Sequence, residues 1–519
     1  AGCIPQNLRR YVHNGFKVGP NYERPPAPVG SAWIQADDPR TQGPPPLDDR
    51  WWRVFQDPVL DSLVVLAYQQ NPNLRSVGAR VLQARAQQGI AVGNIFPQSQ
   101  QVMGLYPQGM LTGRSPAHLN VTAFNLSWEL DFWGKYRRQV ESANASLDAS
   151  VESYDAALVT LLADVATNYV QYRVAQQRIA IARENLRVQE ELLAVVERQE
   201  RVGTATALDV EQLRTLAEQT RSTIPALEIA RGQANDVLSI LLGEPPRDLE
   251  SDLGPGPDPG EPPMPSTPSS VAAGIPADLL RRRPDVRGAE RQVAAQSPQI
   301  GVAKADLYPS LSIGAALGHA DLSLPGLLSR GGGTAFIIPQ VSWNILNYGR
   351  LVNNVHLQDA RTQELIATYQ NTALTAAREV QTALRAFLRS QEQAEALARS
   401  AAAAVAATSI ETQRFGTVRA DVNRLFILAN SRLQAQDQLA VARGDVALNL
   451  IGVYRALGGG WELRLQGDPH PEASSDEAPP GPPLTDGPPP ADSPFAPDRQ
   501  RPASPVDLPE ALPGPYSKP

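Results

Sequence analysis

From Phe124 to Phe132 apolar and polar residues alternate without a break. Phe124, Leu126, Trp128, Leu130 and Phe132 fall on one parity, and Asn125, Ser127, Glu129 and Asp131 on the other. A period of two is the pattern of a strand with one apolar and one polar face, and it predicts a strand over Asn120 to Phe132. A short mixed run, Gln98 to Tyr106, precedes it across a loop of Pro, Gly, His and Ser, and together they predict a strand pair over about 98–132. A second pair is predicted over about 310–346, from Ser310 to Gly318 and from Thr334 to Leu346, around Gly331-Gly332-Gly333.

After each pair the period changes. Lys135 to Val202 contains no proline, and Val151, Leu158, Val165, Tyr172, Ile179, Leu186 and Leu193 are spaced by sevens. This spacing predicts one helix of about 100 Å in a left-handed supercoil. Arg350 to Arg414 predicts its counterpart, with Ala373, Ala394 and Ala401 allowing close approach. Each long helix ends at a short Gly-containing turn and reverses, into Leu208–Leu242 and Asp421–Leu457. Shorter helices precede the strand pairs. Asp57-Pro58 supplies an N-cap and a proline at the first helical position, and Phe96-Pro97 ends a helix begun at Pro72.

The two halves are copies. Asn71-Pro72-Asn73-Leu74-Arg75 aligns with Arg283-Pro284-Asp285-Val286-Arg287, and Phe96-Pro97 with Tyr308-Pro309, a shift of 212 (72 to 284). Ser127-Trp128 aligns with Ser342-Trp343 and Gly134-Lys135 with Gly349-Arg350, a shift of 215 (134 to 349). Val165 and Tyr172 fall on Val380 and Phe387, Gly203-Thr204 on Gly416-Thr417, and Asp209-Val210 on Asp421-Val422. An ordered series of this length is an internal duplication. The organisation expected is an N-terminal extended segment (1–50), repeat 1 (51–244), a Pro/Gly-rich linker (245–270), repeat 2 (271–465) and a Pro-rich tail (466–519) without apolar period, read as disordered.

Composition narrows the function. Net charge is −7, and no basic cluster is interleaved with aromatics, so nucleic acid is not an expected partner. The five histidines stand in unrelated segments without metal-ligand spacing, and no phosphate loop or nucleophile elbow is present. The chain therefore reads as neither an enzyme nor a cofactor protein. No run of about 18 apolar residues occurs, so a membrane could be crossed only by a closed barrel. Four strands per chain cannot close one; two or three copies could. A soluble coiled-coil protein would account for the heptads but not for the paired amphipathic strands.

Four groups of residues carry a family resemblance: Gly19-Pro20-Asn21-Tyr22 with Arg24-Pro25; Trp51-Trp52 with Phe55 and Asp57-Pro58; Asp131-Phe132-Trp133-Gly134; and Tyr454-Arg455-Ala456-Leu457-Gly458-Gly459-Gly460-Trp461. Over residues 17–465 the chain resembles the TolC/OprM outer-membrane factors, in particular their lipoprotein multidrug-efflux branch. The resemblance implies a homotrimer with a twelve-stranded outer-membrane barrel and a helical periplasmic tunnel, girdled by a belt of mid-chain linker and C-terminal segments. It also implies a periplasmic adaptor and an inner-membrane pump such as an RND transporter as partners. Small-molecule efflux is the function implied, with type I protein secretion as the alternative on the same fold.

The resemblance further places adaptor contact at Val202-Gly203-Thr204 and Phe415-Gly416-Thr417, where glycine equally serves to end a helix. It places the closed aperture at Asp209 and Asp421, each equally suited to be an N-cap. Where some members carry a second acidic residue this chain reads Asn423-Arg424-Leu425, and Arg414 and Arg419 are expected instead as latch partners of Asp209 or Asp421. Ala1-Gly2-Cys3 reads as the end of a lipoprotein signal, with Cys3 acylated. Cys3 lies 16 residues before Gly19, farther than in similar lipoproteins, so Ile4 to Lys17 is expected to lengthen the tether.

Overall fold

The computed structural model describes residues 11–42, 50–105, 108–109, 117–118, 120–254, 264–321, 333–415 and 422–465. The chain divides into two units, Ala1–Trp461 and Glu462–Pro519. Described residues of the second are 462–465, part of a 3₁₀ turn, Trp461–Leu465.

In the first unit, repeat 1 comprises α1 (Pro58–Gln70), α2 (Pro72–Gly93), β1 (Ser99–Leu105), β2 (Asn120–Leu130), α3 (Lys135–Arg201) and α4 (Ala207–Leu241). Repeat 2 comprises α5 (Pro284–Ala305), β3 (Ser310–Asp321), β4 (Gly333–Ser342), α6 (Arg350–Phe415) and α7 (Val422–Leu457). Asp57 caps α1 as its sequence predicts, its side chain accepting from the N–H groups of Val59 and Leu60. Aligned positions of the duplication take equivalent places, for Val165, Tyr172, Val380 and Phe387 are all buried.

The strands form one antiparallel meander, β1-β2-β3-β4, in which β2 and β3 join the two repeats. A two-residue ladder, Gln108–Gly109 with Ala117–His118, prolongs the β1–β2 hairpin. β4 ends at Ser342, short of the predicted Leu346. The reason is pairing: β3 begins at Ser310, opposite Ser342, and no in-chain strand residue lies opposite the residues that follow.

The heptad stripe of α3 shifts along its length. Leu158, Val165, Tyr172 and Ile179 are buried as expected, but Leu186 and Leu193 are only partly buried. Towards the turn the buried positions are Ala182, Asn185, Gln189, Leu192 and Val196, the neighbouring seam of the same heptad. This seam packs on both α4 and α7: Ala182 clusters with Leu227 and Val196 with Val210, Leu213 and Val422, while Asn185 Nδ2 donates to Gln436 Oε1 (2.8 Å) and the nearby Arg178 makes two hydrogen bonds to Asp437 (2.7 and 3.0 Å).

The mid-chain segment is tied to the N-terminal segment: Val271 N–H donates to Arg40 O and Ala273 N–H to Thr41 O, while Trp33 Nε1 donates to Ala273 O. Both segments are fastened to α6, Arg40 through Leu388 O and Glu392, and Ser269 O through Gln391 Nε2.

Candidate functional site

The meander has one apolar and one polar surface. Register puts Val102, Phe124, Leu317 and Ala335 in one row of the first surface, followed by Leu126, Ala315 and Ile337, then Trp128, Ile313 and Pro339, then Leu130, Leu311 and Val341. The opposite surface carries Gln101, Asn125, Ser127, Glu129, Ser312, Gln340 and Ser342, with Met103, Val121, Phe336 and Ile338 among its large apolar members. Val102, Phe124, Leu317, Ile337 and Val341 are all exposed in the single chain. Strands of 10–12 residues (β2 to β4) carrying such a surface match the length that tilted membrane-spanning strands require. No helix among the described residues is long and apolar enough to cross a membrane.

Aromatic residues gather where the strands give way to helices. Trp133 stacks on Tyr308 (4.5 Å between centroids, 23° between planes) and donates from Nε1 to Pro309 O (2.7 Å). Tyr11 leans on Phe132 and Trp133 and donates from Oη to Phe132 O. Amphipathic rings at this level form the girdle that flanks the apolar band of membrane barrels.

Of the segment expected to lengthen the tether, residues 11–17 are among the described residues. Residues 11–18 lie against the foot of the sheet: Arg137, paired with Asp131, donates to Gly15 O and Phe16 O, and Lys17 pairs with Glu141. Arg138, fully buried, receives the following stretch through Val18 O, Gly19 O and Asn21 Oδ1. Gly19 crosses Gly301 so closely that a Cβ on Gly19 would stand 2.4 Å from Gly301 Cα, which explains the glycine of the Gly-Pro-Asn-Tyr motif.

At the first hairpin turn Gly203 adopts φ +74°, and the N–H groups of Gly203 and Thr204 donate to Glu200 O and Gln199 O (both 2.9 Å). Val202, Gly203 and Thr204 are exposed at this tip. Asp209 is not an N-cap. The cap is Thr206, and α4 starts one residue earlier than predicted. Asp209 sits at the third helical position, its Oδ2 accepting from Thr206 N–H (2.8 Å) and Oγ1 (2.7 Å) in a capping box. Behind the turn Val196, Val210 and Leu213 form a small core with Val422, so the first tip packs on the start of α7. Arg414 is exposed in the last turn of α6, and Phe415 is its final residue. Gly416, Thr417, Arg419 and Asp421 lie outside the described residues, as does Cys3.

The distant sequence motifs also meet. Trp51 lies among Trp52, Phe55, Tyr454 and the Gly459-Gly460 backbone, and Arg283 donates to Ala456 O (2.8 Å). A nearby cavity of about 810 Å³ between α3, α5, α6 and α7 has Arg283, Arg378, Arg455, Asp285 and Glu379 in its walls. There Arg283 pairs with Asp285 (2.6 Å) and Glu379 (2.8 Å), and Arg455 pairs with Asp164 (3.4 Å). The Arg283–Glu379 and Arg455–Asp164 pairs leave no trace in the sequence pattern, because their members stand on different elements and share no spacing.

A meander with an apolar outer surface and an aromatic foot, continued by helices of 66 and 67 residues, defines the class of outer-membrane channels with helical extensions. The outer membrane efflux protein family model matches residues 63–244 and 275–459, one match per repeat, and the chain belongs to that family. It is similar to the toluene efflux pump outer membrane protein TtgF of Pseudomonas putida, 31% identical over 467 residues that cover 86% of this chain and 95% of that protein. The probable outer membrane lipoprotein SilC of Salmonella typhimurium is 29% identical over 89% of this chain and 96% of its own. Among solved structures, the outer-membrane channel OprN superposes with a TM-score of 0.79 at 30% identity, covering 86% of this chain and 99% of OprN. The chain is an outer-membrane efflux duct.

Proposed function

We propose that the chain is one third of a passive conduit, in which three copies close a twelve-stranded barrel and their hairpins extend it as a periplasmic tunnel. The observation that carries this reading is the four-stranded meander, apolar on one surface, whose outer edges at β1 and β4 have no strand partner among the described residues. Lipid tolerates strands only when their edges are closed, and four short strands cannot close on themselves.

In this reading Val202-Gly203-Thr204 and its sequence equivalent Phe415-Gly416-Thr417 meet a periplasmic adaptor. Rings of Asp209 and Asp421 line the aperture, with Arg414 and Arg419 as counter-charges, and an acyl chain on Cys3 adds a second hold on the membrane. An inner-membrane pump of the RND kind selects and drives the cargo. This chain makes and breaks no bonds of the cargo, and the name of its toluene-exporting relative supports small organic molecules as that cargo. The test is reconstitution of the purified oligomer in planar bilayers, with stepwise, cation-preferring conductance as the expected result. A heat-resistant oligomer that inserts without conducting would refute the conduit.

A further inference from the structure

The joint between the two repeats inside one chain is a template for the joint between chains. We propose that β4, the corner 343–350 and α6 of one copy dock on β1, Phe96 and α2 of the next copy with the residue register of the internal joint. This inference rests on the closed-ring reading above and adds its seam.

Corresponding residues of the repeats are fixed by contacts that occur twice. Trp128 Nε1 donates to Ile95 O (3.0 Å), and Trp343 Nε1 donates to Leu307 O (3.1 Å). Ser99 pairs with Ser127, and Ser310 with Ser342. Gly134 and Gly349 share the same backbone turn, at φ +79° and +80°.

The internal joint joins the end of repeat 1 to the start of repeat 2. Trp128, Glu129 and Leu130 pair with Ile313, Ser312 and Leu311. Trp133 stacks on Tyr308, Lys135 pairs with Asp306 (2.9 Å), and α3 packs along α5. Moving each residue to its counterpart gives the joint from the end of repeat 2 to the start of the next copy's repeat 1. Trp343, Asn344 and Ile345 then pair with Val102, Gln101 and Gln100. Tyr348 stacks on Phe96, Arg350 donates to the Asn94 side chain, and α6 packs along α2. Trp343 continues the parity of Val341, so the transferred register sets it opposite Val102 with both residues on the apolar side.

Exposure in the single chain marks the same residues. Tyr348 is 97% exposed and Phe96 62%, although their counterparts Trp133 and Tyr308 are stacked. Trp343, Ile345 and Val102 are 56%, 69% and 76% exposed. Helices α2 and α5 are both 22 residues long, yet α5 buries twelve of them and α2 three. α5 lies between α3 and α6, whereas α2 has α3 alone as a long-helix neighbour among the described residues. The missing neighbour of α2 is the helix that α6 supplies in the transferred joint.

The experiment is disulfide trapping in outer-membrane fractions, in a Cys3→Ser background that carries no other thiol. Asn344→Cys with Gln101→Cys should give covalent multimers on oxidation, and each single variant should stay monomeric on a denaturing gel. Glu129→Cys with Ser312→Cys, the internal equivalent, should oxidise within the chain. Failure of the 344/101 pair while the 129/312 pair oxidises, or multimers from Asn344→Cys with Met103→Cys in its place, would overturn the register. Native mass spectrometry of the Cys3→Ser parent separates the two levels. A monomeric parent sinks the closed ring and the seam with it, and an oligomeric parent with the wrong cross-link sinks the seam alone.

Discussion

Trp51 and Tyr454 stack face to face, 5.3 Å between ring centroids and 16° between planes, although more than 400 residues separate them in sequence. The stack locks the entry to α1 against the exit of α7, and the Gly458-Gly459-Gly460 run lets the backbone lie on the indole. A Cβ on Gly460 would stand 2.7 Å from Leu162 Cδ1 and 3.1 Å from Trp51 Nε1.

Trp51→Ala should destabilise the fold by about 3–5 kcal/mol, the usual cost of emptying an aromatic core site. Trp51→Phe should cost far less, because the buried Nε1 finds no acceptor among the described residues and its loss orphans nothing. Denaturant unfolding in detergent, followed by far-ultraviolet circular dichroism, checks both. Equal losses for Ala and Phe would place the role of Trp51 elsewhere.

Asp209 serves the turn in the structure and the aperture in the proposed mechanism, and two substitutions separate these roles. Asp209→Ala removes the capping box at about 1 kcal/mol and the charge as well. Asp209→Asn keeps an oxygen for Thr206 and removes the charge alone. Both variants should lose cation preference in bilayer recordings, and Ala alone should loosen the tip in hydrogen exchange of residues 203–210. Unchanged ion preference in both variants would remove Asp209 from the aperture.

The fastening of the N-terminal segment to α6 should be acid-sensitive. Hydrogen bonds from the Arg40 guanidinium and backbone N–H hold the Asp38 carboxyl at about 2, below its ordinary 3.8. A depressed carboxylate stabilises the folded state fully above its unfolded value, and that contribution is lost as pH falls from about 4 towards 2. Proteolysis within residues 33–42 by an acid-active protease should rise across that window. Asp38→Asn should be cleaved readily on both sides of it; a variant as protected as the parent would refute the assignment.

Much of this architecture was legible in the sequence because its periods are long. The alternation through Trp128 keeps one surface apolar and the proline-free run after Lys135 buries one stripe over many residues, and tertiary context had little room to override them. The shift of the α3 seam was not legible. Leu186 and Leu193 continue the sevens, yet Asn185 and Gln189 are the buried residues, since burial there is set by the packing of α4 and α7, with Asn185 bonded to Gln436. The cap falls on Thr206 and not on Asp209, because a carboxylate is as favourable at the third position of a capping box as at the cap itself. The strand predicted through Leu346 stops at Ser342 in the single chain, and the seam proposed above is where Trp343 to Ile345 would find their partner.

The Pro- and Gly-rich stretch between the repeats gains a physical meaning from the doubled joint. A covalent link holds its two ends at an effective concentration on the order of millimolar. The joint between β2 and β3 therefore forms at a rate set by the chain itself, however dilute the protein. The joint between copies uses the same contacts without that tether and must wait for encounter in the membrane. One set of side-chain contacts thus has two concentration dependences, and the order of assembly follows: the in-chain joint first, and the ring only when copies accumulate.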